Sequence, residues 1–231
     1  MNNIVRTTKN HNQSTHMDLT EEQITHRLDH ALKTNLPPEF PYTVQPSKNS
    51  TQLAAVLIPF LRAEGEWHLL LIRRTLHPKD RHGGQVAFPG GRRDHADPNA
   101  ETTALREAQE EIGLRPKDVR ILGQLRDLIT ITNYRVTPMI GAISWPYNVH
   151  PQPEEVSRIF TMPLKWLADP VNRETRQNDF LYQGKPCPVI YFQPYNGEIL
   201  WGASARMVML LLEALGLSTP DERYKPKHNS E

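Results

Sequence analysis

Three glutamates, Glu107, Glu110 and Glu111, stand at i, i+3 and i+4 in the run Arg106-Glu107-Ala108-Gln109-Glu110-Glu111-Ile112-Gly113. On a helix that spacing projects all three carboxylates from one face. Leu105, Ala108 and Ile112 fall on a different face, where they can pack on a sheet. Carboxylates so close repel one another unless a cation sits among them. Hard oxygen ligands select Mg²⁺ or Mn²⁺ rather than Zn²⁺. Such a metal neutralises and orients the oxygens of a diphosphate and lowers the pKa of a bound water. Arg106 precedes Glu110 by four residues and is placed to hold that carboxylate in a bidentate pair. The competing reading is a solvated helix face, which is what most charge runs are. Against it stand the Gly90-Gly91 turn upstream and Gly113 at the helix end, since glycine permits the backbone conformations that bring a tight loop against a helix.

Positioning these side chains is the task of the surrounding elements. The clearest helix spans Glu101 to Ile112, capped by Asn99 or Thr102 and ended by Gly113. Upstream, Gln52 to Leu61 is apolar and reads as a buried strand. Gly65 turns the chain, and Trp67 to Ile72 completes a hairpin. His77 to Gly84 is a polar loop, and Gln85 to Phe88 is a short strand ending at Pro89-Gly90-Gly91. Downstream, strands are predicted over Val119 to Leu125, Leu128 to Thr132 and Arg135 to Ile143. Weaker candidates are Val156 to Phe160, Phe180 to Tyr182, Val189 to Phe192 and Glu198 to Trp201. Ser204 to Leu215 is a closing helix. A short N-terminal helix, capped by Asp18 or Thr20, carries Ile24, Leu28 and Leu32 at four-residue intervals. Strands alternating with helices at these intervals point to an α/β fold, a mixed sheet packed between helices. Residues 1–50 read as a polar extension with that one helix and a Pro-rich linker, and residues 218–231 as a polar tail.

Composition sets the outer bounds. The chain has 231 residues, enough for one good-sized domain plus extensions, and a formal net charge of +1 gives no field for polyanions in general. No nucleic-acid partner is expected. Cys187 is the lone cysteine, so an internal disulfide is excluded. No apolar run approaches the roughly 18–20 residues needed to cross a bilayer. The first residues are polar, without the hydrophobic stretch of a signal peptide, and the expected setting is the cytoplasm.

The acidic segment resembles the Nudix box. That signature is a glycine, five residues, a glutamate, seven residues, then Arg-Glu-U-x-Glu-Glu-x-Gly-U with U aliphatic. Arg106 to Leu114 matches the second half throughout, whereas Gly91 is followed after five residues by Asp97, and eight residues separate Asp97 from Arg106. Within the family, the longer box with an aspartate near this place is similar to the coenzyme A diphosphatase branch. So are Leu70-Leu71-Ile72-Arg73-Arg74-Thr75 and Gly84-Gln85-Val86-Ala87-Phe88-Pro89-Gly90-Gly91. The resemblance implies a Nudix fold over residues 51–217 and cleavage of a nucleotide-containing diphosphate. Glu107, Glu110 and Glu111 would hold Mg²⁺ or Mn²⁺, and Glu107, Glu110, Arg106 and Glu154 would take part in catalysis. Arg74, Lys79, Arg81, Gly90 and Gly91 would contact a small nucleotide substrate. Glu155 competes with Glu154, since both precede a strand in Pro153-Glu154-Glu155-Val156. Tyr134, Trp145, Tyr147 and Tyr195 are placed either to stack on a base or to pack in the core. His77, His82 and His95 read as loop residues. Two other functions stay open on sequence: hydrolysis of ADP-ribose, a dinucleoside polyphosphate or a nucleoside triphosphate, and nucleotide sensing without hydrolysis. A homodimer is also left open.

Overall fold

The computed structural model describes residues 18–34, 51–77, 82–182 and 185–218, and the side chains of 177–187 are outside that description. Most of the segments read from sequence as extension, linker and tail fall outside these ranges, as do Lys79, Arg81 and the Cys187 thiol.

Helix α1 spans Glu21–Thr34. Its start is a reciprocal capping box: Gln23 N–H donates to Thr20 Oγ1 at 3.2 Å, and Thr20 N–H donates to Gln23 Oε1 at 2.9 Å. Strands β1 (Gln52–Ala63) and β2 (Glu66–Arg74) form the expected hairpin, turning through Glu64 and Gly65, both at positive φ. Two short strands follow, β3 (Val86–Ala87) and β4 (Gly90–Arg92). Helix α2 covers Ala100–Ile112, with the Asn99 side chain accepting from Thr102 N–H and Gly113 left-handed at its end. Next come β5 (Val119–Gln124), β6 (Leu128–Ile129), β7 (Tyr134–Ile143) and β8 (Val156–Pro163). A single-turn helix α3 (Leu164–Ala168) leads into the hairpin β9 (Arg173–Tyr182) and β10 (Lys185–Phe192), and α4 (Gly202–Ala214) closes the chain.

The sheet is mixed because β1 runs parallel to β7, in register from Gln52 opposite Tyr134 to Phe60 opposite Ala142. Its other pairings are antiparallel, in the order β3-β2-β1-β7-β5, with β4 on β1, β6 on β7 and β8 on β2. Strand β1 is covered on both faces, which explains its unbroken apolar run. Ile58 and Phe60 enter one core with α1 and α4, while Ala55, Leu57 and Leu61 enter a second with Ala104, Ala108 and Ile112 of α2. The same alternation runs along β2, where Leu69 and Leu71 face the first core and Leu70 and Ile72 the second. The sheet is therefore sandwiched between α2 and the α1–α4 pair.

Some sequence readings differ from the structure. Helix α1, read as part of an extension, buries Leu19, Ile24 and Leu28 in the larger core, and Arg27 donates to the Leu215 carbonyl. Of the two expected caps Thr20 is the one used, and the Asp18 carboxylate pairs with Arg62 at 2.7 Å. Glu198 to Trp201 forms no strand but two isolated bridges, Tyr195 with Glu198 and Tyr191 with Trp201, because a turn with Asn196 and Gly197 at positive φ folds it back on itself.

Candidate active site

Helix α2 lies on the sheet with Ala104, Ala108 and Ile112 inward, which turns its glutamates toward the β4 edge. The three carboxylates are not equivalent. Glu110 is exposed. Glu107 is half-buried, and burial raises its carboxyl above the ordinary range, against the lowering effect of Arg106. Glu111 is 1% exposed, and burial pushes its carboxyl up to about 8. Its Oε2 accepts the Gly90 N–H at 2.9 Å, and Arg74 Nη1 lies 3.7 Å from its Oε1.

Gly90 and Gly91 form β4 in place of the turn expected from sequence. A side chain at Gly91 would put its Cβ 2.5 Å from Glu107 Oε2, so the glutamate lies directly over the glycine backbone. At Gly90, with φ +155, a Cβ would meet Ala55 O and Val56 Cα at 2.5 Å. The two glycines thus serve different neighbours, one the β1 backbone and the other a carboxylate.

Arg106 does more than brace Glu110. Nε and Nη2 grip both oxygens of Asp97, the closest contact being 2.9 Å, while Nη1 reaches Glu107 and Glu110 at 2.9 Å each. The bidentate partner is therefore Asp97 and not Glu110. Asp97 is 5% exposed, and hydrogen bonds from Arg106 hold its carboxyl down to about 2. It also accepts from Asp94 N–H at 3.0 Å, tying the loop before α2 to the arginine. The aspartate at the position of the signature's first glutamate is an anchor for Arg106.

A pH consequence follows. Because the folded Asp97 pKa lies below its ordinary 3.8, this contribution to stability is present above that value and is lost as pH falls toward 2. Asp97→Asn is expected to melt at a lower temperature than the parent at pH 7. The difference should shrink between about pH 4 and 2, as thermal denaturation across pH would show. A gap that persists unchanged at pH 2 would mean the aspartate acts through something other than its charge.

Glu155 and Glu154 are separated by the structure. His150 N–H and Gln152 N–H donate to the Ile112 and Glu111 carbonyls, which satisfies the end of α2. Thr75 N–H then donates to the Glu155 carbonyl at 2.8 Å. The loop so stitched sets the Glu155 charge where it raises the carboxyls of both Glu107 and Glu111. Glu154 is exposed and accepts from Gln152 Nε2 at 2.7 Å. Of the two, Glu155 is the one in the field of the acidic helix.

Other sequence candidates lie elsewhere. The Tyr147 hydroxyl donates to Asp118 at 2.7 Å, and Tyr195 packs on Trp166 with ring centroids 5.0 Å apart. His77, His82 and His95 stand outside helices and strands. The Arg74–Glu111 approach could have been anticipated only by pairing two distant motifs, since nothing local to either residue signals it.

As donors, Glu107, Glu110, Glu111 and Glu155 fit a hard divalent cation. All are oxygen ligands, and two carry carboxyls raised chiefly by burial with a further push from neighbouring acids, a cost that a cation would relieve. Among the described residues, however, no three acidic, histidine or cysteine groups are gathered into a ready cluster. Glu107 and Glu110 are instead drawn onto Arg106.

The NUDIX domain of known proteins matches residues 51–182. The chain belongs to the Nudix hydrolase family. It is 34% identical over 175 residues to an uncharacterized Nudix hydrolase, NudL, of Pectobacterium atrosepticum, covering 74% of this chain and 85% of the relative. To the NudL of Yersinia enterocolitica it is 35% identical over 164 residues, covering 71% of this chain and 82% of the relative. Among solved structures, the Nudix hydrolase RenU of M. smegmatis matches with a TM-score of 0.45 and 22% identity, over 56% of this chain and 83% of that one. As a member of this family the chain is a hydrolase acting on pyrophosphate bonds, and Nudix hydrolases generally use a divalent metal. Among the described residues no helix is long and apolar enough to cross a membrane.

Proposed function

We propose that this Nudix hydrolase cleaves the diphosphate of coenzyme A or its derivatives, giving 3′-phosphoadenosine 5′-phosphate and a phosphopantetheine product. The observation that supports this reading most is the approach of Arg74 to Glu111 at 3.7 Å. It joins the Leu70–Thr75 segment, similar to a coenzyme A diphosphatase motif, to the acidic helix. Basic groups on such a segment would then lie beside the scissile diphosphate.

Glu107, Glu110 and Glu111 would hold Mg²⁺ or Mn²⁺. When bound, such a cation offsets the charge of the diphosphate oxygens and acidifies nearby water. Arg106 keeps Glu107 and Glu110 oriented, itself fixed by Asp97. Arg74, Lys79 and Arg81 would steer the substrate's phosphates, with Gly90 and Gly91 beside them, and the absence of a side chain at Gly91 leaves the Glu107 carboxylate its place. Glu155 is the favoured acceptor, through its carboxylate, of the proton from the attacking water, with Glu154 the less well placed alternative. The hydroxyl of that water bonds to one phosphorus, the bridging P–O bond breaks, and the second phosphate leaves with the bridging oxygen.

Incubation with Mg²⁺ or Mn²⁺ and a panel of diphosphates, read by mass spectrometry, is the test. Coenzyme A should be cleaved with kcat/KM about ten- to hundred-fold above dephospho-coenzyme A or ADP-ribose, since a charge-assisted contact to the extra phosphate is worth about 1.5–3 kcal/mol. A chelator should abolish turnover. Equal rates on coenzyme A and ADP-ribose would leave the family chemistry standing and remove the coenzyme A assignment.

The rate should also climb from neutral pH upward. The attacking water must lose a proton as its oxygen bonds to phosphorus, and alkaline conditions favour that loss. A rate that falls steadily above pH 6 would contradict this order of events.

A further inference from the structure

On the opposite face of the sheet from Arg74, two arginines are set side by side. Arg73 and Arg158 are direct cross-strand partners in the antiparallel β2–β8 pair. Like charges at such a position repel and cost stability. Both guanidiniums converge on one oxygen of Glu198, Arg158 Nη1 at 2.8 Å and Arg73 Nη1 at 3.5 Å. Glu198 is 3% exposed, and the turn at Asn196 and Gly197 presents it through the Tyr195–Glu198 bridge. Arg158 also donates to the Asn196 carbonyl and lies over the Phe160 ring, 5.5 Å from its centroid. The arginine side chains themselves stay 43% and 45% exposed.

The charge does not balance. Among the described residues, the ion pairs of both guanidiniums go to this single carboxylate, leaving one positive charge over. The two guanidiniums are held by a buried carboxylate yet remain nearly half exposed, and a guanidinium carries further N–H donors of the kind that pair with phosphate. The position matters too. Strand β2 ends at Arg74, so the two faces of the sheet meet at its tip, with Arg74 turned toward Glu111 and Arg73 away from it.

We infer that Arg73 and Arg158, braced by Glu198, form an anion subsite for a terminal phosphate monoester carried by the substrate beyond its scissile diphosphate. This rests on the proposed function, in which that group is the ribose 3′-phosphate. The substrate crosses the tip of β2, its diphosphate on the α2 face and its monoester on the Arg73 face. Glu198 is here a positioning residue, and the arginines make the contact.

Two measurements test it. In the parent protein, modification of arginines by phenylglyoxal, mapped by mass spectrometry, should be slowed at Arg73 and Arg158 by adenosine 3′,5′-bisphosphate and not by AMP. Equal protection by both nucleotides, or by neither, overturns the subsite. In kinetics, Arg158→Gln should lower kcat/KM for coenzyme A about tenfold or more, through KM, while its value for dephospho-coenzyme A stays unchanged. The double variant Arg158→Gln with Glu198→Gln avoids stranding the buried carboxylate and should behave alike. Loss on both substrates together, or selective loss only when Lys79 and Arg81 are replaced, assigns the monoester elsewhere. A parent enzyme that cleaves coenzyme A no better than dephospho-coenzyme A sinks the functional reading instead, a result separable from the others because it involves no variant.

Discussion

Replacing Glu111 by glutamine is expected to lower kcat by about 10²–10³-fold and, at the same time, to make the metal-free protein harder to unfold at pH 8. The first effect would follow from removing one of the proposed metal ligands. The second comes from where that charge sits. Glu111 is 1% exposed, and its carboxyl is raised to about 8, chiefly by burial. In the unfolded chain it ionises near the ordinary 4.5. Between those values the folded protein retains a proton that the unfolded chain gives up. The favourable contribution is complete below the lower value and is lost as pH rises through the upper one. Glutamine needs no proton, and its oxygen can still accept from Gly90 N–H. Without metal, the variant should therefore gain on the parent from about pH 5 to pH 8, by on the order of a few kcal/mol. Adding Mg²⁺ or Mn²⁺ should stabilise the parent and leave the variant nearly unmoved. Chelated denaturation curves at both pH values decide the matter. A variant equally destabilised at each would show that Glu111 is a packing residue.

Gly91→Ala and Gly90→Ala should part company although they are neighbours. At Gly91 the atoms nearest a new methyl are the end of the Glu107 side chain, at 2.5–2.7 Å. That carboxylate can swing aside, so the melting temperature should hardly change. Its displacement from the catalytic arrangement should cost about 10²-fold in kcat, the scale expected when a group at the chemistry is shifted by an ångström. At Gly90 the obstruction is the backbone of Ala55 and Val56, which cannot yield, and φ is +155. There about 1–3 kcal/mol of strain adds to the loss of β4 pairing, and both stability and activity should fall. Paired melting and turnover measurements separate the two. A Gly91→Ala enzyme with full activity would remove Glu107 from the chemistry.

These outcomes also mark what the sequence could and could not disclose. The acidic helix was legible because its spacing, its Asn99 cap and its Gly113 end are local signals, and the structure shows all three. The apolar run of β1 read as a buried strand, and the alternation of strands with helices pointed to a mixed sheet packed between helices. What escaped were pairings over distance. Asp97 shows its attachment to Arg106 only when the loop folds back, and Glu155 is distinguished from Glu154 only by a loop stitched to the end of α2. Glu198 and Arg158, forty residues apart, gave no signal in either neighbourhood. Helix α1 was visible as a helix, yet its place in the core depends on Leu28 meeting Gly123, a contact no periodicity reports.

The parallel pairing of β1 with β7 carries a last consequence, for the order in which the molecule assembles. Gln52 faces Tyr134 across that ladder, and β3, β4, α2, β5 and β6 all lie in the stretch between them. Closing so long a loop is entropically slow compared with hairpin formation, even though each doubling of length adds only about 0.6 kcal/mol. The β1–β2 hairpin and the α2 helix can form early from local contacts. The β4 ladder on β1, which sets Gly91 beneath Glu107, closes a shorter loop, whereas the loop after β7, which brings Glu155 to the acidic helix, joins segments still farther apart in the chain. The full catalytic constellation, which needs the loop carrying Glu155, is thus expected to be complete only late in folding.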